Sequence, residues 1–349
     1  TYAPATGPND LPSLTPGNVG NPELKPETGE ELEVGFDASL FGGRVTMGVT
    51  HYRQTTNDLI IAERVAPSAG FPGTRFVNLG QVDNVGYELQ LGLTAINTTN
   101  TELRLDFAAG HNENTLVDLA GRQVQADTRG RWHHIEGEPL GVMGTKRIAT
   151  AEWGPDDDLV NVTCQASEED GFAPTPCADA PFHLMGSGEP SWTGSFGQTL
   201  TLANGLTFNA NWVFTYDSWK YSTDEWAREQ RLQTTEMAVL RQQGLGDPIE
   251  QASLITPDVE HPFFERDDHI RLRELAASYR LPSGWVEGFG ISAASVTVSG
   301  RNLFYLWVHP SFRYGDPESK SYRNAPWPAW EQARLPGPQS IVTKLQVTF

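Results

Sequence analysis

The sequence contains no apolar run that could form a transmembrane helix. Such a helix needs about 20 consecutive apolar residues, and no run approaches that length in the 349 residues. The absence argues against a helical membrane protein, but not against one that crosses the membrane with strands, whose outward and inward residues alternate. Hydrophobic residues make up 38% of the chain, a low share for one that has to fill a large compact core.

Basic residues are scarce. Lys and Arg number 25 against 44 Asp and Glu, which gives a formal net charge of −19. This balance argues against nucleic acid as a partner, because binding to phosphates requires a basic surface. Much of the acid lies in irregular segments, such as Asp156–Asp158, where we expect it to be solvated.

Cysteine is scarce as well. The two cysteines, Cys164 and Cys177, lie close together in one irregular stretch. A disulfide that pins a long loop in an oxidising compartment is the favoured interpretation, and two free thiols are the alternative. The chain begins at Thr1 without a recognisable signal peptide, so we expect it to be the C-terminal portion of a longer protein.

Period-two alternation, in contrast, is abundant. In the final stretch, Ile341, Leu345, Val347 and Phe349 share one face, and the residues between them are mostly polar. This pattern is typical of a strand with one apolar side and one hydrated side. It recurs upstream and predicts about nine strands. They are EELEVGFDASLF, RVTMGVTHY, NVGYELQLGLTAI, TELRLDFAA, SWTGSFGQTLTL, GLTFNANWVFTY, RLRELAASYRLP, SAASVTVSGRNLFYLW and SIVTKLQVTF.

The connections between these strands alternate between short and long. The short turns are centred on Gly42, Thr98, Asn204 and Gly284, and the long segments cover about 60–80, 113–190, 222–265 and 308–337. Every long segment would then lie at the same edge of the sheet, an asymmetry that outer-membrane barrels have and a soluble sandwich has no reason to keep. The segment 222–265 also contains a predicted helix, because Ser222 and Glu225 suit a capping box and Gly244 suits its end.

The faces opposite the apolar residues are polar. A small soluble barrel would fill its interior with apolar side chains, and unpaired buried charges would be costly. We therefore expect the polar faces to line a wide hydrated lumen or to contact a domain that plugs it. The residues in question are Glu31, Glu33, Asp37, Glu88, Gln90, Arg104, Asp106, Asn209, Asn211, Lys344 and Gln346.

The sequence offers few candidates for site chemistry. His133 and His134 are adjacent near two glutamates, but neighbouring side chains on an extended segment point apart, so no metal site, cofactor or catalytic residue is predicted. Three loop aromatics, Trp219, Tyr221 and Trp226, are candidates for ligand contact, because sugar rings and peptide side chains stack well on such groups. The alternative is that they pack the loop helix against its neighbours.

Several strings resemble one family in order along the chain. NPELKPETGEELEVGFDASLFGGRVTMGVTHYRQTTNDLI, NVGYELQLGLTAI, IEGEPLGVMG, GSGEPSWTGSFGQTLTL, RLRELAASYRLP, VSGRNLFYLW and YGDPES are similar to segments of TonB-dependent outer-membrane receptors. The similarity is best to the SusC/RagA group of nutrient importers. A final strand that ends in Phe349 fits the terminal signature of such barrels.

The resemblance implies an all-β fold, namely an antiparallel transmembrane β-barrel of roughly 22 strands. Residues 1–349 would supply the C-terminal portion, with about nine strands, long extracellular loops and a short loop helix, while a plug and the earlier strands lie outside this chain. It further implies an importer, not an enzyme, that takes a bulky glycan or peptide across the bacterial outer membrane. Its expected partners are membrane lipid, the TonB complex acting through the plug, and a SusD-like surface lipoprotein that serves as a lid.

Two alternatives remain open at this point. One is a siderophore or cobalamin receptor of the same fold. The other is a soluble all-β carbohydrate-binding protein or adhesin, in which the apolar faces would form a dry core between two sheets.

Overall fold

The computed structural model describes residues 2–16, 20–65, 73–78, 80–119, 121, 124–125, 131–313, 315–320, 330–331 and 335–349. Within these residues, nine strands form one continuous sheet, which we call the wall. They are β1 (Thr28–Leu40), β2 (Val45–Asn57), β3 (Gln81–Asn97), β4 (Thr101–Asp118), β5 (Trp192–Leu202), β6 (Leu206–Tyr216), β7 (His269–Arg280), β8 (Ala293–Val308) and β9 (Ser340–Thr348).

The wall strands follow one another in chain order, and each is antiparallel to its neighbour. The predicted all-β antiparallel fold is therefore confirmed, and each wall strand coincides with one of the alternating segments. The turn between β1 and β2 requires residues that can adopt positive φ values. Phe41, Gly42 and Gly43 have φ values of 54°, 66° and 88°, a left-handed conformation that glycine adopts at little cost.

The predicted asymmetry of the connections is also present. Residues 41–44, 98–100, 203–205 and 281–292 connect strands at one edge of the wall. Residues 58–80, 119–191, 217–268 and 309–339 connect strands at the opposite edge. We refer to the described residues of these four long connections as the loop layer.

Short strands and helices build the loop layer. Its strands are Ile60–Val65, Gly73–Asn78, Val124–Gln125, Trp132–His134, Val142–Thr145, Ile148–Trp153, Leu159–Gln165, Pro174–Thr175, His183–Gly186, Trp219–Ser222, Phe264–Arg266 and Trp330–Glu331. Its helices are α1 (Thr223–Trp226), a π-helix (Ala227–Leu232), α2 (Glu236–Gln242), α3 (Pro248–Ile255) and a 3-10 turn (His261–Phe263).

A few elements lie outside both the wall and the loop layer. A hairpin of Tyr2–Thr6 and Pro12–Pro16, with a 3-10 turn at Pro8–Asp10, precedes the wall. A short helix α4 (Ser283–Val286) and a 3-10 turn (Glu287–Phe289) lie in the connection between β7 and β8. Among the described residues, no helix has the length and apolar character needed to cross a membrane.

The predicted loop helix begins where expected but does not continue as one helix. The Ser222 hydroxyl accepts a hydrogen bond from the backbone N–H of Glu225, as in the first half of a capping box. The helix then ends because Gln233 adopts φ 50°. Separate caps start α2 at Thr235 and α3 at Asp247, and Gly244 follows the end of α2 at φ 65°. The chain therefore forms several short helices in place of a single one.

Buried apolar side chains concentrate in the loop layer and at the adjoining strand ends. Among the described residues they form three clusters. On the wall, in contrast, large apolar residues stay exposed, such as Ile341 at 80% and Leu32 at 67%. This distribution contradicts the soluble alternative, because the described strands do not enclose a dry core between two sheets.

The two cysteines lie in the cluster that contains Ile148 and Val259. Cys164 and Cys177 form a disulfide that closes a loop with a sequence separation of 13 residues. Cys164 itself is fully buried and pairs with Thr175 across the hairpin. The disulfide thus ties the strand Leu159–Gln165 to the residues that follow it.

Candidate functional site

One face of the wall carries all the polar residues that the sequence assigned to a lumen. Residues that pair across neighbouring strands share a face, and the pairing runs from Asp37 opposite Gly48 to Thr297 opposite Lys344. The full set on this face is Glu31, Glu33, Asp37, Glu88, Gln90, Arg104, Asp106, Asn209, Asn211, Lys344 and Gln346. Leu32, Val34, Phe36, Phe208 and Ile341 lie on the other face.

Part of this polar face is concave. Asp37, Gln90, Arg104, Asp106 and Asn211 line a hollow of about 700 Å³, which we call the polar groove. The Arg104 Nε donates to the Asp106 carboxylate at 3.0 Å, two residues further along the same strand. The remaining members of the predicted set lie around the groove or further along the wall, and Asn209 accepts a hydrogen bond from Thr199 at 2.9 Å.

Glycines give the polar groove its depth. A Cβ atom at Gly92 would lie 2.5 Å from the Thr46 hydroxyl oxygen, and one at Gly48 would lie 2.9 Å from an Asp37 carboxylate oxygen. Both distances are too short for real atoms, so the polar side chains of neighbouring strands lie flat over these glycines. The groove therefore depends on the absence of side chains at these two positions.

A short segment of the last long connection covers the end of β7 that adjoins the loop layer. We call residues 315–320 the charged strap. Arg271 Nη1 lies 2.6 Å from a carboxylate oxygen of Glu318, and Arg273 binds the same carboxylate. His269 Nε2 lies 3.3 Å from it. Burial tends to raise the pKa of Glu318, but the hydrogen bonds from His269 and Arg273 and the charges of the two arginines outweigh it and lower the pKa to about 2.

Two lysines extend this network. Lys320 Nζ lies 2.8 Å from Asp267 and donates to the Ser218 hydroxyl at 2.7 Å. Lys220 Nζ donates to the backbone carbonyl of Asp316 at 2.9 Å. This network was not among the features predicted from the sequence. Its only signals were the basic residues of RLRELAASYRLP and the acidic string YGDPES, about 40 residues apart.

The structure separates the three aromatic candidates for ligand contact. Tyr221 is 0% exposed and donates to Glu260 at 2.5 Å, and burial raises its pKa above the usual value. Trp226 is 8% exposed, and both belong to the same buried cluster of the loop layer. Their burial argues against direct contact with a ligand. Trp219 packs at the edge of that cluster and keeps part of its surface open.

Trp219 lines a second hollow, of about 500 Å³, which we call the aromatic crevice. It lies between residues 184–192, residues 216–219 and the part of β4 nearest the loop layer. Its lining also includes Trp192, Tyr216, Asn112 and Asn114. The indole of Trp219 lies directly over Gly186, where a Cβ atom would come within 2.4 Å of the ring. The Cδ1–Nε1 edge of the indole therefore lies against the backbone at Gly186.

The two adjacent histidines lie in different surroundings. His133 packs against Phe182, with ring centroids 4.8 Å apart, whereas His134 is buried. Burial, and to a lesser degree the neighbouring His133, lower the pKa of His134 to about 4. In the described parts of the chain, no group of three or more His, Cys, Asp or Glu side chains could hold a metal ion.

Comparison with known proteins gives a consistent result. The model of the family described as TonB dependent receptor-like, beta-barrel matches residues 2–303. TonB-dependent receptor P26 of Formosa agariphila is 27% identical over 96% of this chain and 36% of its own length. TonB-dependent receptor SusC of Bacteroides thetaiotaomicron is 27% identical over 29% of this chain and 10% of its own length.

Solved structures agree at the level of the fold. The structure of the RagAB peptide transporter superposes with a TM-score of 0.79 at 20% identity, covering 100% of this chain and 38% of that one. The chain thus spans little more than a third of P26 and of this neighbour. These relatives are described as receptors and transporters.

Proposed function

Because the chain belongs to the TonB dependent receptor-like β-barrel family, we propose that it forms the C-terminal part of the wall of a nutrient importer. The family and its SusC relative lie in the bacterial outer membrane. The whole protein would take up a bulky glycan or peptide, and this part of it would catalyse no bond chemistry.

The observation that carries the proposal is the contrast between the two faces of the wall. Exposed residues such as Leu32, Phe36 and Ile341 suit contact with lipid, whereas the polar groove suits a hydrated lumen. An antiparallel sheet whose backbone groups bond to neighbouring strands can cross a bilayer, because each N–H and C=O is satisfied within the protein.

We assign the polar groove to contact with a plug domain of the whole protein. Asp37, Gln90, Arg104 and Asn211 supply both donors and acceptors there, as a polar surface on a plug would require. TonB would act on that plug, and its force would drive transport. The assignment to a plug contact rests on the polar side chains that line the groove.

The edge of the wall that carries the loop layer would face the cell exterior, where substrate arrives. A SusD-like surface lipoprotein would close over this layer as a lid. The named neighbours support the proposal at the level of the fold, because one is a SusC receptor and another is a peptide transporter.

The direct test is uptake by cells that express the full-length parent protein. Growth on oligosaccharides or peptides as the sole carbon source should depend on both the receptor gene and TonB. Deletion of tonB should abolish uptake, and its restoration on a plasmid should recover it. Uptake that proceeds equally without TonB would refute the proposal.

A second test concerns the polar groove. Gly92→Leu would force a side chain into the space of the Thr46 hydroxyl and fill part of the groove. We expect slower uptake with unchanged substrate binding at the cell surface. The matched control is Gly288→Leu in the short connection between β7 and β8. A side chain there meets open space, so uptake should not change.

A further inference from the structure

The aromatic crevice holds unused hydrogen-bond donors around an apolar surface. Asn112 and Asn114 each donate one amide N–H to Asn84, at 3.3 and 2.9 Å, which leaves each amide a second N–H. Within the described residues, the indole nitrogen of Trp219 has no hydrogen-bond partner. The two amides line the same crevice as the indole, whose Cδ1–Nε1 edge lies against Gly186.

The crevice also holds acceptors that carry negative charge. Glu113, Glu138 and Glu189 line it, and none of them forms an ion pair with another described residue. Asp217 lies 3.5 Å from Arg266, but that guanidinium also binds Asp268 at 2.6 Å. Among the described lining residues there is no lysine or arginine. Lys320 donates to the carbonyl of Gly188 at 3.1 Å, so two cations reach the edge of the crevice. The four lining carboxylates still outnumber them, and the described lining is net negative.

The backbone around the crevice is already engaged. The N–H of Asn112 bonds to the carbonyl of Ser191, and the N–H of Trp219 bonds to that of Ser187, both at 2.9 Å. A peptide commonly binds by adding a strand to a free sheet edge, and these positions do not offer one. The free groups are side-chain amides, carboxylates and an indole.

We infer that the aromatic crevice binds a sugar unit that is uncharged or carries an amino group, and that it rejects acidic sugars. A pyranose ring has an apolar C–H face that stacks on an indole, and a rim of hydroxyls that both donate and accept. Uronic acids and sulfated sugars would bring a negative charge against the carboxylates of Glu138 and Glu189. This inference rests on the proposed function, since it specifies which nutrient the importer takes.

The test uses the full-length receptor, purified in detergent, and calorimetric titration with three hexasaccharides. The probes are maltohexaose, a chitosan hexasaccharide and an oligogalacturonate. The first two should bind, and the oligogalacturonate should bind at least about tenfold more weakly. Trp219→Ala should weaken maltohexaose binding by about tenfold or more, because it removes the indole on which the apolar face of the sugar would stack.

Matched variants separate a binding role from a structural one. Trp219→Phe retains a smaller ring and should bind maltohexaose with intermediate affinity. Trp285→Ala removes a tryptophan that is 66% exposed in the connection between β7 and β8, so it should bind like the wild type. The double change E138Q and E189Q should strengthen oligogalacturonate binding severalfold, most at low salt, and leave maltohexaose binding unchanged.

Three results would overturn the inference. They are equal binding of oligogalacturonate and maltohexaose, Trp219 variants that bind like the wild type, and binding of peptides but of none of the sugars. None of these touches the proposed function, which fails only if uptake of every nutrient is independent of TonB. The two failures are thus distinguishable.

Discussion

In the wall, Ile341 and Leu345 stay exposed, whereas in the loop layer Phe263 and Tyr221 are almost completely buried. The wall is held together by hydrogen bonds between successive strands, and it leaves its apolar face for lipid. The loop layer has its own buried clusters, a disulfide and charge pairs. One chain thus contains a part organised for a bilayer and a part organised as a water-soluble domain would be.

The comparison implies that truncation of a large apolar residue matters only in the loop layer. Phe263→Ala would leave a cavity beside Tyr221, whose ring centroid is 6.4 Å away, and should cost about 3–5 kcal/mol. Limited proteolysis of the full-length receptor in outer-membrane vesicles should show faster cleavage of the loop layer. Phe36→Ala, on the exposed face of wall strand β1 where the side chain is 56% exposed, is the matched control. Equal cleavage rates would contradict the distinction.

A charge placed on either face of the wall gives the next largest effect. Val298 and Thr297 are neighbours near the middle of β8 and lie on opposite faces. Val298→Arg should lower the free energy of unfolding by about 2–4 kcal/mol, because it places a charge in lipid. Thr297→Arg should cost less, because it stays on the hydrated face, although it loses a hydroxyl bond to Ser278 and faces Lys344. Urea unfolding of the receptor in lipid vesicles would measure both, and a reversed order would invert the assignment of the faces.

The smallest expected effect concerns the charged strap. The pKa of Glu318 falls from 4.5 to about 2 in the folded protein, so its stabilising contribution is complete above about pH 4.5 and is lost as the pH falls toward 2. The protection of residues 315–320 against hydrogen exchange, measured relative to the intrinsic rate at each pH, should fall over that interval. Glu318→Gln should lose about 1–2 kcal/mol of local stability at neutral pH and remove this pH dependence. Glu287→Gln, exposed at the opposite edge, should change neither.

The wall could be predicted from the sequence because its two environments impose period-two alternation on every strand. The turn Phe41–Gly43 and the alternation of short and long connections followed from the same pattern. Lipid and water select side chains at each position independently, so the signal is local. Strands with such local periodicity can be predicted from a short window of sequence.

The loop layer could be predicted only in part, because its structure depends on contacts between distant residues. The cap at Ser222 is local and was predicted, but the burial of Tyr221 and Trp226 depends on Phe263 and Phe264 from another part of the loop. The charged strap joins Glu318 to Arg271 across 47 residues. The periodicity of a sequence carries no information about contacts between residues so far apart.

The order of the wall strands has a consequence for biogenesis. Every strand from β2 onward pairs with the strand made just before it. The pairings across the four short connections are local and favour fast folding, whereas those across the four long connections, such as residues 119–191, first have to bring distant strands together. The wall can therefore form by successive addition of hairpins at a single advancing edge, in the order in which the ribosome produces them.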